Sequence, residues 1–583
     1  MKWIEEMFKL IKYLKSYTVQ SIIGPLFKFL EASFELIVPL VMASIIDKGV
    51  KNNDTEYIFK MGGLLVLLAA LGLAASLTAQ YFAAKASTGF GAALRKDLYH
   101  HINTFSHKEI DKIGTPTLVT RVTNDINQTQ TGVNMFLRLF LRSPFIVIGA
   151  IVMCLTISVE LTLIFAVAAP VIGLIIYLIM SGTIPRYKKI QNRLDKVSLK
   201  TRENLSGVRV IRAFSHQKQE AKEFEKETEQ LKKAQIAVGR ISALMNPLTY
   251  VVVNLAIIAI IWFGGGYVDS GRITQGEITA LVNYMTQILL ALIILANLIV
   301  ILTKASASAA RINEVFDVKP SVTDEGCTEQ TAVAGAPTVE FSNVSFAYNG
   351  TEDSLTSISF TAGKGETVGI VGGTGSGKST VISLIPRFYD ATDGKVIIEG
   401  NDIKSYPLEQ LRKKIGIVPQ RAVLFKGTIR DNMRWGKENA TDKEIWQALE
   451  LAQAKEFVEQ KPEKLDAVIT QGGKNLSGGQ RQRLTIARAL VMRPDILILD
   501  DSSSALDYAT SEKLRKALAE NFKESTVFIV SQRAANIRFA DKIIVLDDGK
   551  IAGIGTHSRL FTDCPEYREI CLSQMSEKEA QNG

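Results

Sequence analysis

The sequence predicts two joined parts of different class: six membrane-crossing α-helices, with cytoplasmic helical extensions, fused to a cytoplasmic α/β domain built around a phosphate-binding loop. Three observations predict it. Of the 583 residues 47% are hydrophobic, and they crowd into the first half, where uncharged stretches cover residues 61–84, 143–159, 161–185, 241–268 and 278–303. Most of these are long enough for a helix to cross a bilayer. The basic residues alternate: segments 2–15, 85–138 and 186–240 are rich in Lys and Arg, whereas the other connections are nearly bare of them. That pattern puts both termini and the long loops on the cytoplasmic side. Finally, residues 368–380, VGIVGGTGSGKST, fit G-x-x-x-x-G-K-[ST].

Taken in order, Trp3, Ile4, Met7, Phe8, Ile11 and Leu14 fall on one helical face opposite Lys9, Lys12 and Lys15. This predicts a helix lying on the inner leaflet. The first crossing, residues 18–46, is broken by Lys28, Glu31 and Glu35, spaced to share a face. Charges at membrane depth either pair to fix packing or line a cavity, and the spacing allows both. The third crossing is expected to begin before its uncharged run, near Phe136. Both long cytoplasmic connections read as polar helices, the second reversing near residues 203–214. The net charge of +9 follows from this topology beside anionic membrane lipid, so no nucleic-acid partner is expected. The four cysteines show no C-x-x-C pairing and read as reduced structural thiols. The N-terminus is charged and amphipathic, unlike a cleavable signal peptide. Residues 1–318 are therefore assigned to the membrane domain, 319–338 to a linker rich in Thr, Ala, Gly and acidic residues, and 339–583 to the α/β domain.

In the α/β domain Gly372, Gly373, Thr374, Gly375, Ser376 and Gly377 form a loop whose N–H groups can turn inward, and the helix behind it adds its positive end. Lys378 would reach the β and γ phosphates of ATP, Ser379 would offer its hydroxyl to Mg²⁺, and Thr380 completes the loop. Tyr348 could stack on adenine. The strand ILILD ends in Asp500, suited to hold Mg²⁺, and Asp501 follows where a base for the attacking water would sit. Ser477, Gly478, Gly479 and Gln480, in NLSGGQRQR, form a second phosphate cradle before a helix. One nucleotide rarely needs two cradles, so the second is expected to grip ATP held by another subunit.

These motifs, in this order and over essentially the full length, resemble ATP-binding cassette exporters of the half-transporter type. The resemblance implies that Gln420, in GIVPQ, is the Q-loop residue at the metal, that residues 476–480 are the LSGGQ signature, and that residues 504–507 are the D-loop. It also implies that residues 114–125 and 207–214 form the coupling helices.

Two departures stand out. Where the family's active pattern has Glu after the strand Asp and His in the switch, this chain has Asp501 and Gln532, and its five histidines lie elsewhere. The resemblance then implies the degenerate-site subunit of a heterodimeric exporter in a bacterial inner membrane. Its partner is a second half-transporter, and its substrate is a drug or another lipophilic or amphipathic small molecule. The alternatives are a homodimeric lipid flippase and an ATP-gated regulatory subunit.

Overall fold

The computed structural model describes residues 2–348, 353–502, 504–577 and 579, with side chains described from Glu6 onward. The expected roles of Trp3 and Ile4 thus lie outside the described side chains. The chain separates into two compact units, one comprising the chain up to Asn103 with Pro116–Val318, the other Thr104–Thr115 and everything from Lys319 onward.

The first unit contains six helical spans, Glu6–Val50, Thr55–Asn103, Thr115–Ile157, Val159–Ser206, Gln217–Asp269 and Gln275–Phe316, each 42 to 53 residues long. A bilayer needs only about 20 residues, so each span extends well beyond it, as the polar loops predicted. Leu10 and Tyr13 are buried while Phe8 and Ile11 remain exposed, so the N-terminal segment is anchored inward by a different pair of side chains from the predicted apolar face. Close helix approach uses small residues: Ala32, Ala79 and Ala83 are fully buried, and a Cβ on Gly24 would meet the Ala83 backbone at 3.4 Å. At the outer ends, Asp47 accepts from Gly276 N at 2.9 Å and from Thr274 Oγ1 at 2.5 Å, tying the first span to the sixth.

The charges of the first crossing divide between the two predicted roles. Lys28 is buried and donates to Glu31 Oε2 at 2.5 Å and to Ser76 Oγ at 3.3 Å, which is a packing arrangement. Glu35 instead accepts from Arg142 Nη2 at 2.5 Å and keeps 43% of its side chain exposed.

The segment that clusters with the second unit lies mostly N-terminal to residues 114–125, where the first coupling helix was expected. Residues 115–125 run into the third span, and Asp125 is buried there between Arg121 and Arg311. The short helix before it, His107–Ile113, belongs to the second unit. A Ser106–Glu109 capping box starts it, and Gly114 at φ 84° ends it. His107 stacks on Phe388 with centroids 4.3 Å apart, and Asp111 accepts from Tyr389 Oη at 2.6 Å. The second reversal lies where expected, as helix Val208–Ala213 with no buried residue.

The second unit carries strands β1 (Val339–Phe346), β2 (Leu355–Ala362), β3 (Thr367–Gly372), β4 (Asp393–Ile398), β5 (Asn401–Asp402), β6 (Ile415–Val418), β7 (Gly427–Thr428), β8 (Val468–Ile469), β9 (Ile496–Asp500), β10 (Thr526–Val530), β11 (Lys542–Asp547) and β12 (Lys550–Gly555). An antiparallel sheet of order β2-β1-β4-β5 packs on a six-stranded sheet of order β12-β11-β3-β10-β9-β6, and Phe341, Phe360, Ile370 and Phe528 lie in the core between them. From β11 to β6 the larger sheet is parallel. Its buried strands read as the continuous apolar runs such a sheet requires.

Candidate nucleotide site

Parallel strands bring their carboxyl ends to one edge, and ligands of such sheets bind there. Here β3 delivers the loop 373–377, β9 delivers Asp500 and Asp501, β10 is followed by Gln532, and β6 by Gln420. Tyr348, Thr374, Gly375, Gly377, Lys378, Ser379, Thr380, Gln420, Asp500, Asp501 and Gln532 all line one cavity of about 390 Å³. Gly377 sits at φ 93°, and a Cβ there would come within 2.6 Å of Leu355 Cδ2 and 3.0 Å of the Ser354 carbonyl. The left-handed backbone favours glycine there, and a side chain would also crowd Leu355 and the Ser354 carbonyl.

Lys378 donates to the carbonyls of Gly372 at 3.0 Å and Gly373 at 2.5 Å, and to Ser376 Oγ at 3.3 Å. These contacts hold the ammonium at the centre of the loop. Burial pushes its pKa down, while Asp500 and Asp501 oppose that shift. Ser379 Oγ donates to Asp500 Oδ1 at 3.4 Å. Burial raises the pKa of Asp500, the Ser379 hydrogen bond pulls it back, and the charge of Asp501 adds to the rise. Asp501 is likewise raised by burial, against hydrogen bonding from Gln420 and the charge of Arg533. Its backbone is left-handed, at φ 43°, with its N–H donating to the Val530 carbonyl at 2.9 Å. A non-glycine residue held there is under strain, as is common at functional sites. Tyr348 is 40% exposed, and its hydroxyl lies 3.1 Å from Thr380 Oγ1.

The signature residues lie apart from this cavity. Ser477 caps helix Gly478–Leu490 through a box with Gln480, at 3.2 and 3.0 Å. None of Ser477, Gly478, Gly479 and Gln480 lines the cavity around Lys378. A Cβ on Gly478 would meet nothing within 4 Å, so this cradle opens onto free surface.

Sequence reasoning missed Ser354 and Gln574, besides Val530 and Ser531 of the cavity wall. Ser354 lines the cavity from the loop before β2. Gln574, after the last long helix, clamps the switch: its Nε2 donates to the Gln532 carbonyl at 2.8 Å and its Oε1 accepts from Ala534 N at 2.9 Å. Neither belongs to a motif, and both act through backbone proximity that only the fold creates.

Six membrane spans joined to a P-loop α/β domain define a membrane transporter that hydrolyses ATP on its cytoplasmic side. The chain belongs to the ABC transporter family. The family model described as ABC transporter transmembrane region matches residues 21–292, and the one described as ABC transporter matches residues 355–504. An uncharacterised ABC transporter ATP-binding protein of Mycobacterium tuberculosis is 39% identical, over 92% of this chain and 93% of its own. A Bacillus subtilis protein named "Probable multidrug resistance ABC transporter ATP-binding/permease protein YheI" is 33% identical over 97% of both chains. The structure of a bacterial Atm1-family ABC exporter with ATP bound superposes with a TM-score of 0.80 at 24% identity, covering 97% of this chain and 99% of that one. The chain thus has the exporter fold and is a multi-pass membrane ATPase.

Proposed function

We propose that this chain is the degenerate-site half of a heterodimeric exporter of drugs or other lipophilic compounds. The observation that carries the reading is the pairing of Asp501 and Gln532 in the same cavity as Lys378 and Ser379, with the signature facing elsewhere. Two such subunits facing each other would complete each cavity with the other's signature. The exposed apolar side chains of Val210 and Phe214, 60% and 71% accessible, supply further surface for a second subunit.

In this reading Tyr348 takes the adenine, the loop N–H groups and Lys378 hold the phosphates, and Ser379, Asp500 and Gln420 would hold Mg²⁺. Their oxygen donors suit a hard cation. When bound, Mg²⁺ neutralises charge on the β and γ oxygens. Asp501 is the base position, but its carboxylate is one methylene short of the family's Glu. Gln532 donates a hydrogen bond and cannot become an imidazolium. This site retains ATP and cleaves it slowly, while the partner's site, completed by Ser477 and Gly478, turns over.

The reading is tested by ATP-driven uptake of a lipophilic dye into inside-out vesicles holding this chain and a half-transporter that carries Glu and His. Absence of uptake with ATPase intact would remove the export function. Repairing this chain with Asp501→Glu and Gln532→His should raise hydrolysis by the pair only modestly, about two-fold at most, because the partner's site already turns over. A rise approaching ten-fold or more in the ATPase rate would show that this chain's site limits the cycle, contrary to the proposal.

A further inference from the structure

The first, third and sixth spans share a polar cluster that the nucleotide chemistry does not use. Glu35 lies on helix Thr18–Ser44, Arg142 opens helix Arg142–Ile157, Arg138 lies one turn earlier in the π-helical turn Phe136–Phe140, and Gln287 lies on helix Gln275–Phe316. Arg142 donates to Glu35 Oε2 at 2.5 Å, and Gln287 Nε2 donates to the Glu35 carbonyl at 3.4 Å. Arg138 Nε, Arg142 Nε and Gln287 Oε1 are buried without a hydrogen-bond partner. Among the described residues Arg138 has no carboxylate within ion-pairing distance.

The depth makes this costly. At 1.5 Å per residue, Gln287 lies about 18 Å and Arg142 about 22 Å inward from the outer ends of their helices, within a hydrocarbon core about 30 Å thick. Arg138 lies a turn nearer the cytoplasm. Arg142 takes the one carboxylate and Arg138, a turn earlier on the same span, has none, leaving a surplus positive charge, and charges at such depth persist where they meet a partner or a water-filled cavity. The 43% exposure of Glu35 shows that the cluster is open on one side. Glu35 is already engaged by Arg142, so the unmet demand is for an anion.

We propose that Arg138 and Arg142 receive the anionic headgroup, carboxylate or phosphate, of the exported amphiphile, a substrate class that rests on the export reading above. A guanidinium presents its Nε–H and Nη–H groups as a planar fork that matches such oxygens two at a time. Gln287 Oε1 adds an unpartnered acceptor on the sixth span, suited to an amide N–H or hydroxyl beside the anionic group. The headgroup belongs either to a free amphiphile or to an anionic phospholipid.

The test is direct binding, without nucleotide, by the full transporter in phosphatidylcholine nanodiscs, so its outcome is independent of which site hydrolyses ATP. The probes are a fluorescent N-acylglycine, its methyl ester, and its trimethylammonium analogue. The acid should bind at least about ten-fold more tightly than the ester, as expected for a desolvated charge-assisted pair. Arg138→Gln should reduce that preference to near unity, and Arg138→Lys, which keeps the charge without the fork, should keep part of it, which separates loss of charge from loss of fold. Displacement of the acid by phosphatidylglycerol in wild type but not in Arg138→Gln would identify the lipid as the source. Its failure to displace would identify the free amphiphile. Equal binding of acid and ester, or tightest binding of the ammonium analogue with dependence on Glu35, overturns the proposal. Acid selectivity without ATP-driven uptake would leave the site standing and remove the export reading.

Discussion

Gly478→Asp should nearly abolish ATP hydrolysis by the reconstituted pair while leaving the protein folded. The new carboxylate would be pushed toward the γ-phosphate and oppose the charge that the cradle's N–H groups stabilise, and loss of one such stabilising contact typically costs on the order of 100-fold in rate. The structure makes this a clean experiment. A Cβ at Gly478 meets nothing within 4 Å, so the new side chain enters open space and the thermal midpoint should hardly move. Lys378→Ala is the counterpart. It removes the ammonium that binds the Gly372 and Gly373 carbonyls and the phosphates. In the proposed heterodimer it weakens nucleotide retention at the slow site and leaves measurable turnover. Steady-state ATPase rates of the two variants decide the matter, and equal losses would mean equivalent sites and end the degenerate-site reading.

The chain purified alone should hydrolyse ATP very slowly, and a cognate half-transporter should raise the rate by about 100-fold. A base withdrawn by about 1 Å, the difference between Asp and Glu, costs on the order of 100-fold. A homodimer repeats that defect in both sites through its symmetry. Burial raises the pKa of Asp501, and that does not restore its reach. The left-handed backbone at Asp501 fixes where the side chain starts, so relaxation of the loop offers little recovery. Robust turnover by the isolated chain, measured at increasing protein concentration so that self-association is saturated, would contradict the heterodimer.

Much of this protein was legible in its sequence for a physical reason. The bilayer demands about 20 apolar residues per crossing, and the phosphate loop demands fixed glycine and lysine spacing, so both leave contiguous signatures. The six spans, the strand–loop–helix at Lys378 and the strand ending at Asp500 are determined by such local demands. Spacing alone likewise placed Ser477 and Gly478 at a helix start, where an N-cap must be a small polar residue.

The tertiary structure decided what depends on pairing between distant segments. Lys28, Glu31 and Glu35 share one face by periodicity, yet Lys28 is turned into a closed ion pair and Glu35 reaches Arg142, 107 residues away. The segment that joins the ATPase unit is His107–Ile113, because its His107 and Asp111 find Phe388 and Tyr389 there, whereas Asp125 satisfies its charge with Arg121 and Arg311. Gln574 reaches the switch only through the path of the last helix. A motif records what a backbone needs from its neighbours in sequence. The partner of a buried charge or amide is chosen by packing, where an unpaired polar group costs more than almost any local preference can return.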